Sequence, residues 1–401
     1  MMRRLQFPII LQLTFVALLL AAAPAPPAGP EDGVTTLAAD AEAQWVPFDL
    51  TPGNQIRFAM HLDSRPITAV LDTGVSFSVL ARASAVVDPA RLTSGGQATA
   101  IGGAVATGWL PTGTITIGGL TRRGGGVSVA DLPALATGGA TPVDMLVGRD
   151  ITGGQALDID YEHRRFRLIP TGRLPFTGAT APLAISAARR VYESALTVAG
   201  RRLAPMVVDT GDGSAITLSA AAWQRAGLAS LPNTTTISFG LAGPAVSTLA
   251  IAPAVALGTQ MARQVEVRVE PAGGFSQTIG VAGRIGSGFL QRYRVLLDPA
   301  AGRMVLQPGP TADQPPLRST SGLLVGIEPD RLRVFHVMRG GPAEAAGWRD
   351  GDRICRINGA PIPADYAGDP IATWSIGAPG TVVTLGLCTG EVRSLTLKSF
   401  Y

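Results

Sequence analysis

The stretch "AVLDTGVSFSVL", Ala69 to Leu80, decides the fold. A carboxylate, Asp72, ends an apolar run, with Thr73 and Gly74 directly behind it. Burying a lone carboxylate costs several kcal/mol or drives its pKa upward. Taken once, Asp-Thr-Gly is an ordinary turn, because Asp and Gly are turn formers. The same three residues recur in "MVVDTGDGSAITL", Met206 to Leu218, where Asp209 follows Asp72 by 137 positions. Two such carboxylates in matching apolar strands imply a pair that meets.

The repeat extends well beyond the turns. "AIGGAVATG" (Ala100–Gly108) faces "SFGLAGPAVS" (Ser238–Ser247), and "TITIGGL" (Thr114–Leu120) faces "AVALGTQ" (Ala254–Gln260). "MLVGRDI" (Met145–Ile151) faces "GRIGSGFL" (Gly283–Leu290), setting Gly148 on Gly286. "DYEHRRFRL" (Asp160–Leu168) faces "DPAAGRMVL" (Asp298–Leu306). Landmarks that keep step over so long a span mark an internal duplication. Each copy consists of short alternating or β-branched runs bounded by Gly, Pro, Asn or Asp, the pattern of strands and hairpins. Ala83–Asp88 and Ser219–Leu228 are the candidates for short helices. Pro-rich "PGPTADQPPL" (Pro308–Leu317) reads as a linker, and the sequence after it has no counterpart in the repeat.

Bulk properties narrow the function. The 401 residues are 46% hydrophobic, enough for two or three cored domains. The net charge of +4 comes almost wholly from scattered Arg, since Lys398 is the one lysine. A nucleic-acid surface needs a basic stripe with interleaved aromatics, which is absent from the sequence. His61, His163, His336, Cys355 and Cys388 have no zinc-site spacing, so no metal and no cofactor is expected. Nor do the histidines form a Ser/His/Asp arrangement, and Trp109 reads as a packing residue. At the N-terminus, Arg3 and Arg4, the apolar Ile9–Leu20 and the small Ala21–Ala23 form an export signal over 1–28. Pro24 is awkward beside a scissile bond, so cleavage and retention as an anchor both remain open. The expected location is periplasmic or extracellular, with the anchor as the sole membrane contact.

Two carboxylates at hydrogen-bond distance cannot both ionise easily, so they share a proton. Such a pair holds a base and an acid together, enough to activate water against a peptide bond without a metal or a covalent intermediate. A Thr hydroxyl in each turn can reach the opposite backbone and lock the loops. The Gly permits close approach and offers an N–H to the carboxylate.

Asp-Thr-Gly twice, each followed about 76 residues later by an apolar-flanked Gly ("LVG", "RIG"), resembles the pepsin and retropepsin superfamily of aspartic proteases. The likeness is greatest to the bacterial retropepsin-like form with two tandem lobes. It implies a mainly all-β fold, with duplicated acid-protease β-barrel lobes at 45–172 and 180–308. It implies catalytic Asp72 and Asp209, supported by Thr73, Gly74, Ser76, Thr210 and Gly211. Hairpins near Gly102, Gly103 and Gly240 match the flaps that close over an extended substrate. Two departures fall in the second copy: Gly213 stands where Ser76 stands in the first, with Ser214 one later, and Asp212 adds a charge beside the turn. Arg284 is also polar where the first copy has Leu146.

"GGPAEAAGWRDGDRICRINGAPI" (Gly340–Ile362) reads as a short helix, a turn, a strand and a tight "NGAP" turn, preceded by the apolar strand start "SGLLVGI" (Ser321–Ile327). This resembles a bacterial PDZ domain, an α+β unit over 318–401. The resemblance implies that backbone N–H groups around Gly322, Leu323, Leu324 and Val325 capture a peptide C-terminus. Cys355 and Cys388 fall on strands of this unit, and sequence leaves open whether they pair. The functional expectation is an exported aspartic endopeptidase acting on peptide or protein substrates, with the PDZ-like unit recruiting or regulating them. The competing expectation is a non-catalytic peptide-binding envelope protein on a relic scaffold.

Overall fold

The computed structural model describes residues 33–137, 139 and 142–401, so the export signal expected at 1–28 lies outside the described residues. The described chain is mostly strand, in three sheets, with short helices between them. None of those helices is long and apolar enough to cross a membrane.

In the first copy, strand Arg65–Leu71 carries Asp72 at its end. It lies antiparallel to Ile56–Leu62 and parallel to Met145–Val147, with Leu71 opposite Val147. Met145 and Leu146 pair in turn with Leu80 and Val79 of an antiparallel strand, Val79–Ala81, which runs parallel to Gly126–Ala130. The second copy repeats these pairings. Arg201–Asp209 is parallel to Gly283–Gly286, with Asp209 opposite Gly286. That strand is antiparallel to Ile216–Leu218, which runs parallel to Gln260–Val269. Val70, Leu71, Leu80, Val147, Val208, Ile216 and Ile285 are wholly buried, which explains why these strands read as unbroken apolar runs.

The two copies share a sheet. Strand Ala156–Asp160 lies antiparallel to Tyr293–Asp298, and each keeps its own hairpin partner, Arg165–Ile169 and Arg303–Pro308. Asp160 faces Arg165 and Asp298 faces Arg303, the same positions that coincide in the sequence repeat. At the junction, wholly buried Asp158 accepts from Arg167 Nε and Arg294 Nη2, each at 2.9 Å. A carboxylate without water is tolerable there because both lobes of its charge are met by guanidinium donors.

Two local expectations change. Ala83–Asp88 is a set of turns, followed by a 3-10 turn at Pro89–Arg91 that Asp88 caps. Pro89 disfavours helical backbone at the residue before it, and Val86–Val87 are β-branched. Strand Val34–Leu37 also pairs with Leu120–Arg123, so the first sheet begins upstream of residue 45. The helix anticipated in Ser219–Leu228 forms at Ala220–Ala226, with Ser219 Oγ accepting from the Ala222 N–H and Gly227 ending it at φ 71°.

The third sheet runs Leu323–Glu328, Arg331–Val337, Arg353–Ile357, Val382–Leu387, Val392–Thr396, with Leu323–Glu328 at one edge. It closes over its own core of Trp348, Tyr366 and Trp374 beside aliphatic side chains. The turn at Asn358–Gly359 has positive φ at both residues, as a two-residue hairpin requires. Cys355, on strand Arg353–Ile357, forms a disulfide with Cys388, which lies not on a strand but in the turn just after Val382–Leu387, with Cα atoms 5.0 Å apart.

Candidate active site

Asp72 and Asp209 arrive at one point from the ends of equivalent strands. Their carboxyls are in mutual hydrogen-bond reach. Each lies against the glycine of the opposite turn. A Cβ built on Gly74 falls on the Asp209 carboxyl, and one built on Gly211 falls on that of Asp72. These glycines are required for space, since the opposing acid fills the place of a side chain. Gly74 N–H donates to Asp72 Oδ1 and Gly211 N–H to Asp209 Oδ1, both at 3.0 Å.

The threonines cross between the loops. Thr73 Oγ1 donates to the Val208 carbonyl and accepts from the Thr210 N–H, at 2.7 and 3.0 Å. Thr210 Oγ1 donates to the Leu71 carbonyl and accepts from the Thr73 N–H, at 2.7 and 3.1 Å. Both threonines are wholly buried, so breaking this four-bond lock leaves polar groups without water. Behind it, Gly148 and Gly286 press on the turns. A Cβ on Gly148 would meet Val75, and one on Gly286 would meet the carbonyls of Asp212 and Ser214.

The pair is not symmetric. Burial first, then the charge of Asp209, lifts Asp72 well above the usual carboxylate range. Burial and Asp212 push Asp209 up to about 6, opposed by Arg284. Asp209 accepts two N–H groups, from Gly211 and Asp212, and has Arg284 Nε at 3.7 Å; Asp72 accepts one. More positive partners surround Asp209, so the shared proton rests preferentially on Asp72.

Asp212 and Gly213, the departures of the second copy, have packing reasons. Asp212 is buried, and its Oδ2 accepts from Arg284 Nε at 2.8 Å. Burial alone would raise it, but Arg284 and Arg268 hold its carboxyl below the usual range. Arg284 Nη1 also donates to Glu270 Oε1 at 2.8 Å and to Ser276 Oγ at 3.1 Å. Gly213 meets the backbone of Gly53, and a Cβ there would collide with the Gly53 carbonyl.

Of the other anticipated residues, Ser76 donates to the Arg189 carbonyl at 2.5 Å. The glycines of the two hairpins converge. Hairpin Thr93–Ala100/Gly103–Pro111 and hairpin Asn233–Gly240/Gly243–Leu257 touch at their tips, with Ala242 N–H donating to the Ile101 carbonyl at 3.2 Å. Gly102 packs on Ala242 and Gly240 on Ile101 too closely for a Cβ at either position. Between the tips and the second turn lies a cavity of about 660 Å³, lined by Ile101, Phe239, Phe275, Gly211, Glu270 and Arg284 among others. Leu323, Leu324 and Val325 begin the edge strand of the third sheet, and Gly322 directly precedes it. There the N–H groups of Gly322 and Leu323 already donate to Ser319 Oγ and Ser321 Oγ, both at 3.1 Å.

Several contributors have no motif. Gln55 Nε2 donates to the Gly211 carbonyl at 2.8 Å, Asn54 Nδ2 to the Gly213 carbonyl at 3.0 Å, and Ser287 Oγ to the Thr210 carbonyl at 2.6 Å. Glu270 carried one usable signal: an Arg in an apolar strand demands a buried acid, and Asp212 leaves part of that guanidinium unmet. Among the described residues no cluster of His, Cys, Asp or Glu could hold a metal ion. The chain has no significant match to a protein-family model or to a curated protein.

Proposed function

We propose that this chain is an aspartic endopeptidase of the retropepsin-like kind, with two acid-protease lobes and a C-terminal PDZ-like unit. The observation that carries the reading is the facing pair Asp72 and Asp209, held by reciprocal threonine bonds. The ionised member, Asp209, takes a proton from a water whose oxygen attacks the peptide carbonyl carbon. Asp72 gives its proton to the carbonyl oxygen, yielding a tetrahedral diol. Collapse of the diol returns a proton to the leaving nitrogen as the C–N bond breaks, and the pair again holds one proton. The cavity under the hairpins suits an extended peptide with apolar side chains near Ile101, Phe239 and Phe275. The disulfide in the third sheet fits an oxidising compartment and supports export.

The non-catalytic reading rested on Asp212 and Gly213, and both have packing explanations: Asp212 pairs with Arg284, and Gly213 packs on the Gly53 carbonyl. The deciding experiment is cleavage of a diverse peptide mixture from acid to neutral pH by the parent, Asp72→Asn and Asp209→Asn. Activity in the parent and its loss in both variants is the expected result. A folded parent inactive at every pH would favour the peptide-binding reading.

A further inference from the structure

The two hairpins over the cleft are held unequally. The first is exposed along strand Thr93–Ala100, and among the described residues it makes no hydrogen bond to residues 319–401. The second is gripped by the C-terminal unit along its outer strand. Arg339 Nη2 donates to Asn233 Oδ1 at 2.7 Å, and Thr234 Oγ1 donates to the Arg339 carbonyl at 2.7 Å. Thr235 Oγ1 accepts from the Arg339 N–H at 3.1 Å and lies 2.7 Å from His336 Nε2. Leu249, on the returning strand, packs with Met338 and Tyr401.

Nearest the tip, the rings of Phe239 and Phe335 meet edge to face, with centroids 5.1 Å apart. Phe239 lines the cavity one residue before Gly240, which touches the opposite tip. Behind it, the Phe335 ring lies on Gly326 of the edge strand, where any Cβ would collide with it. A glycine in a strand interior weakens the strand unless something must approach its backbone. Here it makes room for a ring that supports the cleft wall.

We propose that Phe335 is a positioning residue: it braces Phe239 and fixes the second hairpin over the cavity beside the second turn, which makes the C-terminal unit a working wall of the substrate cleft. Opening for substrate then belongs to the first hairpin. The inference builds on the proposed peptidase and assigns part of its substrate binding to a residue outside the two repeats.

The test uses the full chain and two readouts, peptide cleavage kinetics and amide hydrogen exchange at 233–243. An aromatic contact of this kind is worth enough for Phe335→Ala to raise KM about three- to tenfold, with kcat within about twofold of the parent. Exchange at Phe239–Gly243 should quicken while exchange at 93–103 stays unchanged. Phe335→Tyr, which keeps the ring, should restore both. An active parent whose Phe335→Ala variant has unaltered KM and unaltered hairpin exchange overturns the inference and leaves the peptidase standing. An inactive parent whose hairpin loosens in Phe335→Ala overturns the peptidase and leaves the bracing role standing. General loss of the melting transition in Phe335→Ala, with no rescue by Tyr, would also overturn it, because the ring would then serve stability alone.

Discussion

At Asp72 and Asp209 the chain keeps a proton that an unfolded chain would release. Both carboxyls are raised by burial and by a neighbouring negative charge, Asp209 to about 6. For an acid raised in the fold, the native state binds more protons than the unfolded state, so stability falls as pH rises across the gap. The contribution is full below about pH 4, the unfolded carboxylate range, and drains as pH climbs through the raised values. Asp72→Asn supplies a permanently neutral amide. It should raise the melting temperature over the parent at pH 8 and have little effect at pH 3.5. Equal effects at the two pH values would mean that the fold does not raise the Asp72 carboxyl. Asp212 titrates in the opposite sense: Arg284 keeps it ionised, so its contribution is lost only as the solution becomes strongly acid.

Among the elements, the loops were more legible in the sequence than the contacts that hold them. Asp72, Thr73 and Gly74 could be read because their spacing recurs at Asp209. The meeting of the two hairpin tips could not, because it depends on Ile101 and Ala242, residues without any chemical signature. Gln55, Asn54 and Ser287 were equally silent, since an amide or hydroxyl in a polar loop looks the same whether or not it reaches a backbone carbonyl. Ser76 was legible as a register position, but its partner, the Arg189 carbonyl, was not. Gly286 was legible as a motif, and the structure supplies its reason. Its φ of −98° suits any residue, so its need is for space beneath the Asp212 and Ser214 carbonyls. Gly286→Ala should therefore cost about 1–3 kcal/mol by overpacking and, by shifting the second turn, abolish peptide cleavage in a chain that still folds. Urea unfolding and the cleavage assay check the two halves, and an active Gly286→Ala would show that the turn tolerates displacement.

For the molecule as a whole, the shared sheet through Ala156–Asp160 and Tyr293–Asp298 fixes the two repeats, and the third sheet relies more on a covalent tie. Cys355 and Cys388 close a loop with a sequence separation of 33. Chain entropy for a loop of that size makes the bond worth about 3–4 kcal/mol, so Cys355→Ser/Cys388→Ser should lower the stability of the C-terminal unit by that order. Tryptophan fluorescence follows it directly, because Trp348 and Trp374 lie in that core. A variant as stable as the parent would show that the strands suffice. The touching hairpins have a different consequence. With Ile101 bonded to Ala242, the polypeptide closes a ring around the cavity between the tips and the second turn. A free chain end can be threaded through a ring, but a loop of a folded protein cannot enter until the ring parts. The latch has one backbone bond, with a net worth of about 1 kcal/mol, beside the glycine contacts of Gly102 with Ala242 and Gly240 with Ile101. For the proposed peptidase this would select against bulk: a compact protein meets a closed eye, and a frayed or unfolded strand meets an open one.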